Sequence, residues 1–135
     1  MLLAIDTSTN LASVALVDAT EAILADGAHT AGDADEAGAL GSAAQSASAR
    51  LLAELTWDVG TRHSVELLER IAWLLVSRGA TMAQLTALAV ATGPGSFNGA
   101  RVAVATAKSL AFALSLPVVA RSTLDVIAWD AGPVG

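Results

Sequence analysis

The chain opens with short apolar runs, each closed by turn-prone residues. Leu2–Ile5 ends at Asp6-Thr7-Ser8-Thr9-Asn10, Ala12–Val17 ends at Asp18-Ala19-Thr20, and Glu21–Ala25 follows. Runs of this length between Asp, Ser, Thr and Asn clusters predict strands in an antiparallel meander. Residues 27–50 change character, being built almost wholly of Ala, Gly, Ser, Asp and Glu with one Leu and no aromatic. Such a segment buries too little apolar surface to offset the entropy of ordering it. It reads as a disordered insertion, with a short alanine-rich helix over 43–52 as the competing reading and a third strand starting late, near Leu51.

Beyond it, the pattern becomes an alternation. Leu51–Trp57 has strand character. A helix is predicted over Arg62–Arg78, with Thr61 as N-cap, Gly79 as the stop, and a core-facing stripe of Val65, Leu68, Ala72, Leu75 and Val76. Met82–Leu85 reads as a helical turn and Leu88–Ala91 as a buried strand. A second long helix covers Gly99–Ser115, Leu116–Ala120 is a strand, and Ser122 caps a last helix over Thr123–Trp129. The order β-β-β-α-β-α-β-α predicts an α/β domain whose mixed sheet carries crossover helices.

Composition narrows the function classes. The 135 residues carry a net charge of −6, so a stand-alone nucleic-acid binder, which needs a basic surface, is disfavoured. The charge is polarised: acids dominate up to Arg70, whereas only Asp125 and Asp130 face Arg78, Arg101, Lys108 and Arg121 afterwards. Cysteine is absent, which removes thiolate zinc sites and cysteine nucleophiles. No targeting segment is evident, and no apolar stretch reaches the roughly 20 residues of a membrane span. A soluble cytoplasmic protein is expected.

Two segments could carry chemistry. The loop Gly93-Pro94-Gly95-Ser96-Phe97-Asn98-Gly99 lies between a buried strand and a helix, so its amides sit at the positive end of a helix dipole. It suits an anion or a closely approaching backbone, but equally a tight strand-to-helix turn with Phe97 plugging the core. It has neither the Lys-Ser/Thr pair of a Walker loop nor the glycine spacing of a dinucleotide fingerprint. Asp6, Thr7 and Ser8, at the end of the first strand, could hold phosphate oxygens or a metal-bound water, or could simply build a turn.

Leu3-Ala4-Ile5-Asp6-Thr7-Ser8 with Ser13-Val14-Ala15-Leu16, then Gly93-Pro94-Gly95-Ser96-Phe97-x-Gly99-x-Arg101, then Ser122-Thr123-Leu124, resemble the N-terminal half of the TsaB (YeaZ) family. The match covers about residues 1–25 and 51–130. It implies an RNase H-like lobe of the actin, Hsp70 and sugar-kinase superfamily. It also implies a non-catalytic scaffold subunit, homodimeric in isolation, that pairs with a TsaD-type threonylcarbamoyltransferase. That complex installs threonylcarbamoyl on N6 of the adenosine next to the anticodon of tRNA. A TsaE-type ATPase subunit is a further implied partner, tRNA contact is indirect, and ATP with Mg would enter only in the assembled complex. Family members continue into a second lobe. Residues 1–135 are therefore expected to form one N-terminal lobe that lacks half of any nucleotide cleft. Asn98 replaces the family's usual Thr.

The residues agree with a non-catalytic role. The catalytic relative holds metal with two histidines one helical turn apart, whereas the first helix here offers His63 with Leu67 four positions on. No metal site is expected, and no Ser/His/Asp constellation suggests a peptidase. The interface is expected on both long helices. On the first, His63, Leu67, Arg70, Trp73 and Leu74 are candidates, with Trp73 as anchor unless it lies on a loop of its own fold. On the second, the small ridge Gly99, Ala103, Ala107 and Ala111 invites a close helix neighbour, flanked by Arg101 and Lys108. The competing function is a nucleotide-binding ATPase or kinase-like lobe in which Asp6, Thr7 and Ser8 hold phosphate and metal; a third reading is a self-associating domain without a tRNA role.

Overall fold

The computed structural model describes residues 1–19, 49–59 and 63–131. Strands β1 (Leu2–Asp6), β2 (Leu11–Ala19) and β3 (Ala49–Asp58) precede helix α1 (His63–Ser77). A 3₁₀ turn (Met82–Gln84), β4 (Ala87–Ala91), α2 (Phe97–Leu114), β5 (Val118–Arg121) and α3 (Thr123–Ala131) follow. The expected strand Glu21–Ala25 lies outside the described residues. So does the expected insertion, except for Ala49 and Arg50, which already belong to β3.

The five strands form one mixed sheet in the order β3-β2-β1-β4-β5. The pairs β1–β2 and β2–β3 are antiparallel, and β1–β4 and β4–β5 are parallel. Register stacks like with like: Leu3 lies opposite Leu16 and Leu88, and Ile5 opposite Val14 and Val90. Because side chains alternate along a strand, these six residues share one face, and all are buried. A bulge at Leu52 shifts the β2–β3 register, so that Leu16 pairs with Ala53 but Val17 with Leu51.

Both long helices cover that face, with α1 over β2 and β3 and α2 over β1, β4 and β5. Of the stripe predicted on α1, Leu75 is buried as expected, but Leu68, Ala72 and Val76 are out of phase with the observed core face. Leu67, Ile71, Leu74 and Leu75 face the core, whereas Leu68, Ala72 and Val76 are exposed. Both stripes have helical spacing. The buried one is bulkier, since the other has Ala72 where Ile71 stands, and each fully buried Leu or Ile is worth about 1.5–3 kcal/mol.

The helix ends follow their sequence signals. At the C-terminus of α1 the Ala80 amide donates to Leu75 O at 2.9 Å and the Gly79 amide to Val76 O at 3.0 Å. With Gly79 at φ +63°, this is a Schellman motif. Helix α2 begins two residues before its expected start, because Ser96 is the N-cap and its Oγ accepts from the Gly99 amide. It ends at Ser115 in the left-handed conformation, ahead of Pro117.

Candidate functional site

The turn after β1 and the glycine loop before α2, distant in sequence, meet at one end of the sheet. Asp6 Oδ1 accepts from the Ser8 amide at 2.9 Å and from Ser8 Oγ at 2.6 Å. Ser8 Oγ in turn accepts from Thr123 Oγ1 at 3.0 Å, and Thr123 Oγ1 accepts from the Gly93 amide at 3.1 Å. These bonds form a directional chain from Gly93 N–H through two hydroxyls to a carboxylate, the arrangement in which each bond polarises the next. The Thr123 amide closes a loop by donating to Gly93 O at 2.8 Å.

Two further bonds complete the clamp: the Ser96 amide donates to Ser8 O, and Thr7 Oγ1 donates to Gly99 O. Thr7, Ser8 and Thr123 are all buried. Glycine is required where the two segments touch. A Cβ on Gly95 would stand 2.1 Å from Ser8 O, and one on Gly99 would stand 1.8 Å from Thr7 O. These contacts are the close backbone approach that the glycines suggest, made by the chain's own β1 turn, and Phe97 does not plug the core. Phe97 is 73% exposed and lies under the Arg101 guanidinium, 5.3 Å from its ring centroid. Pro94 and Gly95 are exposed at the loop's tip.

The interface candidates divide into two groups. Leu67, Leu74, Ala103 and Ala107 are buried in the chain's own core and offer nothing to a partner. The small ridge Gly99-Ala103-Ala107 faces inward for the reason small residues suggested, close approach, but the neighbour is the chain's own β1 turn and sheet. Arg70, Trp73, Arg101 and Lys108 are exposed as an interface requires. His63 begins α1.

The outward surface is more apolar than the sequence indicated. Trp73 is 60% exposed, Val76 76% and Leu68 48% on α1; Phe112 is 91% exposed on α2. Leu68 and Val76 belong to the stripe that the spacing predicts for the core, and Phe112 lies outside the predicted interface set. The signal for Phe112 was available, since it continues the row Phe97-Arg101-Ala105-Lys108 along one side of α2. Behind this surface, Arg70 stacks over Trp57 at 5.5 Å from its ring centroid. Arg70, Leu55, Glu66, Glu69 and Trp73 line a shallow groove of about 320 Å³ between α1 and β3.

Among the described residues, no group of three or more His, Asp or Glu side chains is placed to hold a metal ion. No helix among them is long and apolar enough to cross a membrane.

Comparison with known proteins matches residues 58–133 to the family model "TsaD: tRNA N6-adenosine threonylcarbamoyltransferase". The tRNA threonylcarbamoyladenosine biosynthesis protein TsaB of Bacillus subtilis is 35% identical over 78 residues, 58% of this chain and 34% of that protein. The TsaB of Haemophilus influenzae is 41% identical over 66 residues, 49% of this chain and 28% of the relative. The chain belongs to the TsaD family of the matching model. A solved structure of YeaZ from Pseudomonas aeruginosa shares the fold with a TM-score of 0.66 at 32% identity. That alignment covers 96% of this chain and 46% of the other, which supports the RNase H-like, actin-like fold read from the motifs. This TsaD-family chain thus spans between about a quarter and a half of the length of these three relatives.

Proposed function

We propose that this chain is the N-terminal, non-catalytic docking lobe of a subunit in tRNA N6-threonylcarbamoyladenosine synthesis, working in the cytoplasm. In this reading it pairs with a TsaD-type transferase through the outward face of α1 and α2. The observation that carries the reading is that face: Leu68, Trp73, Val76 and Phe112 are large apolar side chains held outward on two adjacent packed helices. A tryptophan or phenylalanine in such a position is the usual anchor of a protein interface. Arg101 and Lys108 give the α2 side a positive rim. A second copy of the chain would compete for the same face, tRNA would be met only through the partner, and a TsaE-type ATPase subunit would join the assembled complex.

The alternative, an ATPase or kinase-like lobe, needs Thr7 and Ser8 to turn toward a ligand. Here the Thr7 hydroxyl is given to Gly99 O, and Ser8 is held between Asp6 and Thr123. In the docking reading these bonds serve to hold the β1 turn, the glycine loop and α3 together.

Light scattering after size exclusion tests the proposal, on the chain alone and mixed with the TsaD-type subunit from the same source. A 1:1 complex that displaces any homodimer is expected, and two non-interacting species would overturn the docking role. Mg-ATP binding that is lost in Asp6→Ala would favour the enzyme reading instead.

A further inference from the structure

Asn98 and Gly99 stand side by side in the first turn of α2, with Asn98 exposed and Gly99 buried. In flexible chains an asparagine followed by glycine loses its side-chain amide readily, because no Cβ on the next residue hinders attack by its nitrogen. We infer that Asn98–Gly99 is a latent deamidation site that the Ser96 cap keeps closed. In the reaction the Gly99 nitrogen attacks Asn98 Cγ. A C–N bond forms, the Cγ–Nδ2 bond breaks, and the amide proton leaves with the side-chain nitrogen as ammonia. Water then opens the resulting succinimide at either carbonyl, giving aspartate or isoaspartate at position 98. Water is the only co-reactant, and nothing is oxidised or reduced.

The fold opposes this closure at three points. Helical ψ at Asn98, about −42°, is not the backbone geometry that lets the following nitrogen reach the side-chain carbonyl carbon. The Gly99 N–H is donated to Ser96 Oγ at 3.2 Å. The Gly99 Cα rests against Thr7 O with no room for even a Cβ, so the peptide cannot rotate while the clamp is shut. Reaction therefore requires the first turn of α2 to open. The two products differ in consequence. Aspartate adds a negative charge near the positive end of the helix and is tolerated. Isoaspartate lengthens the main chain between positions 98 and 99, so Gly99 can no longer meet both Thr7 and Ser96, and the clamp is lost.

Incubation of the full chain at mildly alkaline pH, followed by peptide mapping that resolves aspartate from isoaspartate, tests the inference. The urea-unfolded chain should react fastest and the folded wild type slowest. Ser96→Ala should react roughly fivefold faster than wild type, the effect of losing a typical N-cap on the open population. Ser96→Asp, which restores a capping oxygen, should return to the wild-type rate. The Ser96 amide still donates to Ser8 O in both variants, and circular dichroism checks that helix content is unchanged. A folded wild type as reactive as the unfolded chain would overturn the gate. So would a Ser96→Ala rate equal to that of Ser96→Asp at equal helix content.

Discussion

The Thr123 hydroxyl donates to the Ser8 hydroxyl at 3.0 Å, joining residues 115 positions apart in a buried contact. Through it the first turn of α3 is fastened to the turn after β1 and, through Gly93, to the loop before α2. Thr123→Val keeps the shape but leaves the Gly93 amide without its acceptor and Ser8 without its donor. A loss of about 1–3 kcal/mol is expected, the cost of stranding a buried polar group. Ser8→Ala removes the other side of the bond. The double variant should lose less than the sum of the two, with a coupling of about 0.5–3 kcal/mol in a denaturation cycle. Strict additivity would mean that the hydroxyl chain does not hold the two segments together.

Three glycines should respond to alanine in different ways. Gly79→Ala meets no atom within 4 Å but must hold φ +63°, so a loss of about 1–2 kcal/mol is expected from backbone strain alone. Gly99→Ala drives a Cβ to 1.8 Å from a backbone oxygen that is itself fixed in the sheet's end turn. Gly95→Ala meets the neighbouring Ser8 O at 2.1 Å. These two should cost about 3 kcal/mol or more, because main chain and not a flexible side chain has to move. Thermal unfolding of the three variants checks the ranking; Gly99, which has no positive φ, decides it, and a Gly99→Ala loss no larger than that of Gly79→Ala would mean that φ and not close approach dominates.

Much of this architecture was legible because local signals and tertiary demands agree. The order of strands and helices, the Gly79 stop and the Ser122 start of α3 follow from apolar runs, turn residues and caps. The loop 93–99 was legible as a place of close approach. Its partner, the turn at Ser8, was not, because nothing local to Gly95 or Gly99 says which backbone comes near. The phase of α1 is met only at Leu75 for a related reason: Leu68, Ala72 and Val76 are as periodic as Leu67, Ile71 and Leu74, and only packing volume separates them. The ridge Ala103-Ala107 is the close-packing surface its spacing suggests, and what packs on it is the chain's own core and not another subunit. Charged substitution there breaks the fold before it can break any association, since Ala107→Asp would bury an unpaired carboxylate beneath α2.

Arg70 offers a milder test of the α1–β3 contact. Its guanidinium lies over Trp57, a residue largely withdrawn from water at 9% exposure. Arg70→Met keeps the apolar stem and removes the cation. A loss of about 0.5–1 kcal/mol is expected, with altered emission from Trp57, since the charge over its ring is gone. Unchanged stability and emission would place the Arg70 charge in solvent.

The outward face of α1 and α2 should separate folding from association. Trp73→Ala and Phe112→Asp alter side chains that are 60% and 91% exposed, so each should change stability by no more than about 0.5 kcal/mol. If these residues anchor a TsaD-type partner, truncating Trp73 should weaken the complex by about 2 kcal/mol or more, roughly thirtyfold in Kd. Phe112→Asp adds a charge facing an apolar surface and should do at least as much harm. Val76→Asp lies on the same face of α1 and should follow Trp73. Calorimetric titration against the partner, with the unfolding temperature of each variant measured alongside, keeps the two effects apart. Variants that unfold normally and still bind at wild-type affinity would move the docking site off these two helices, leaving the sheet edges and α3, where Leu124, Val126 and Ile127 are also exposed, as the surfaces to examine next.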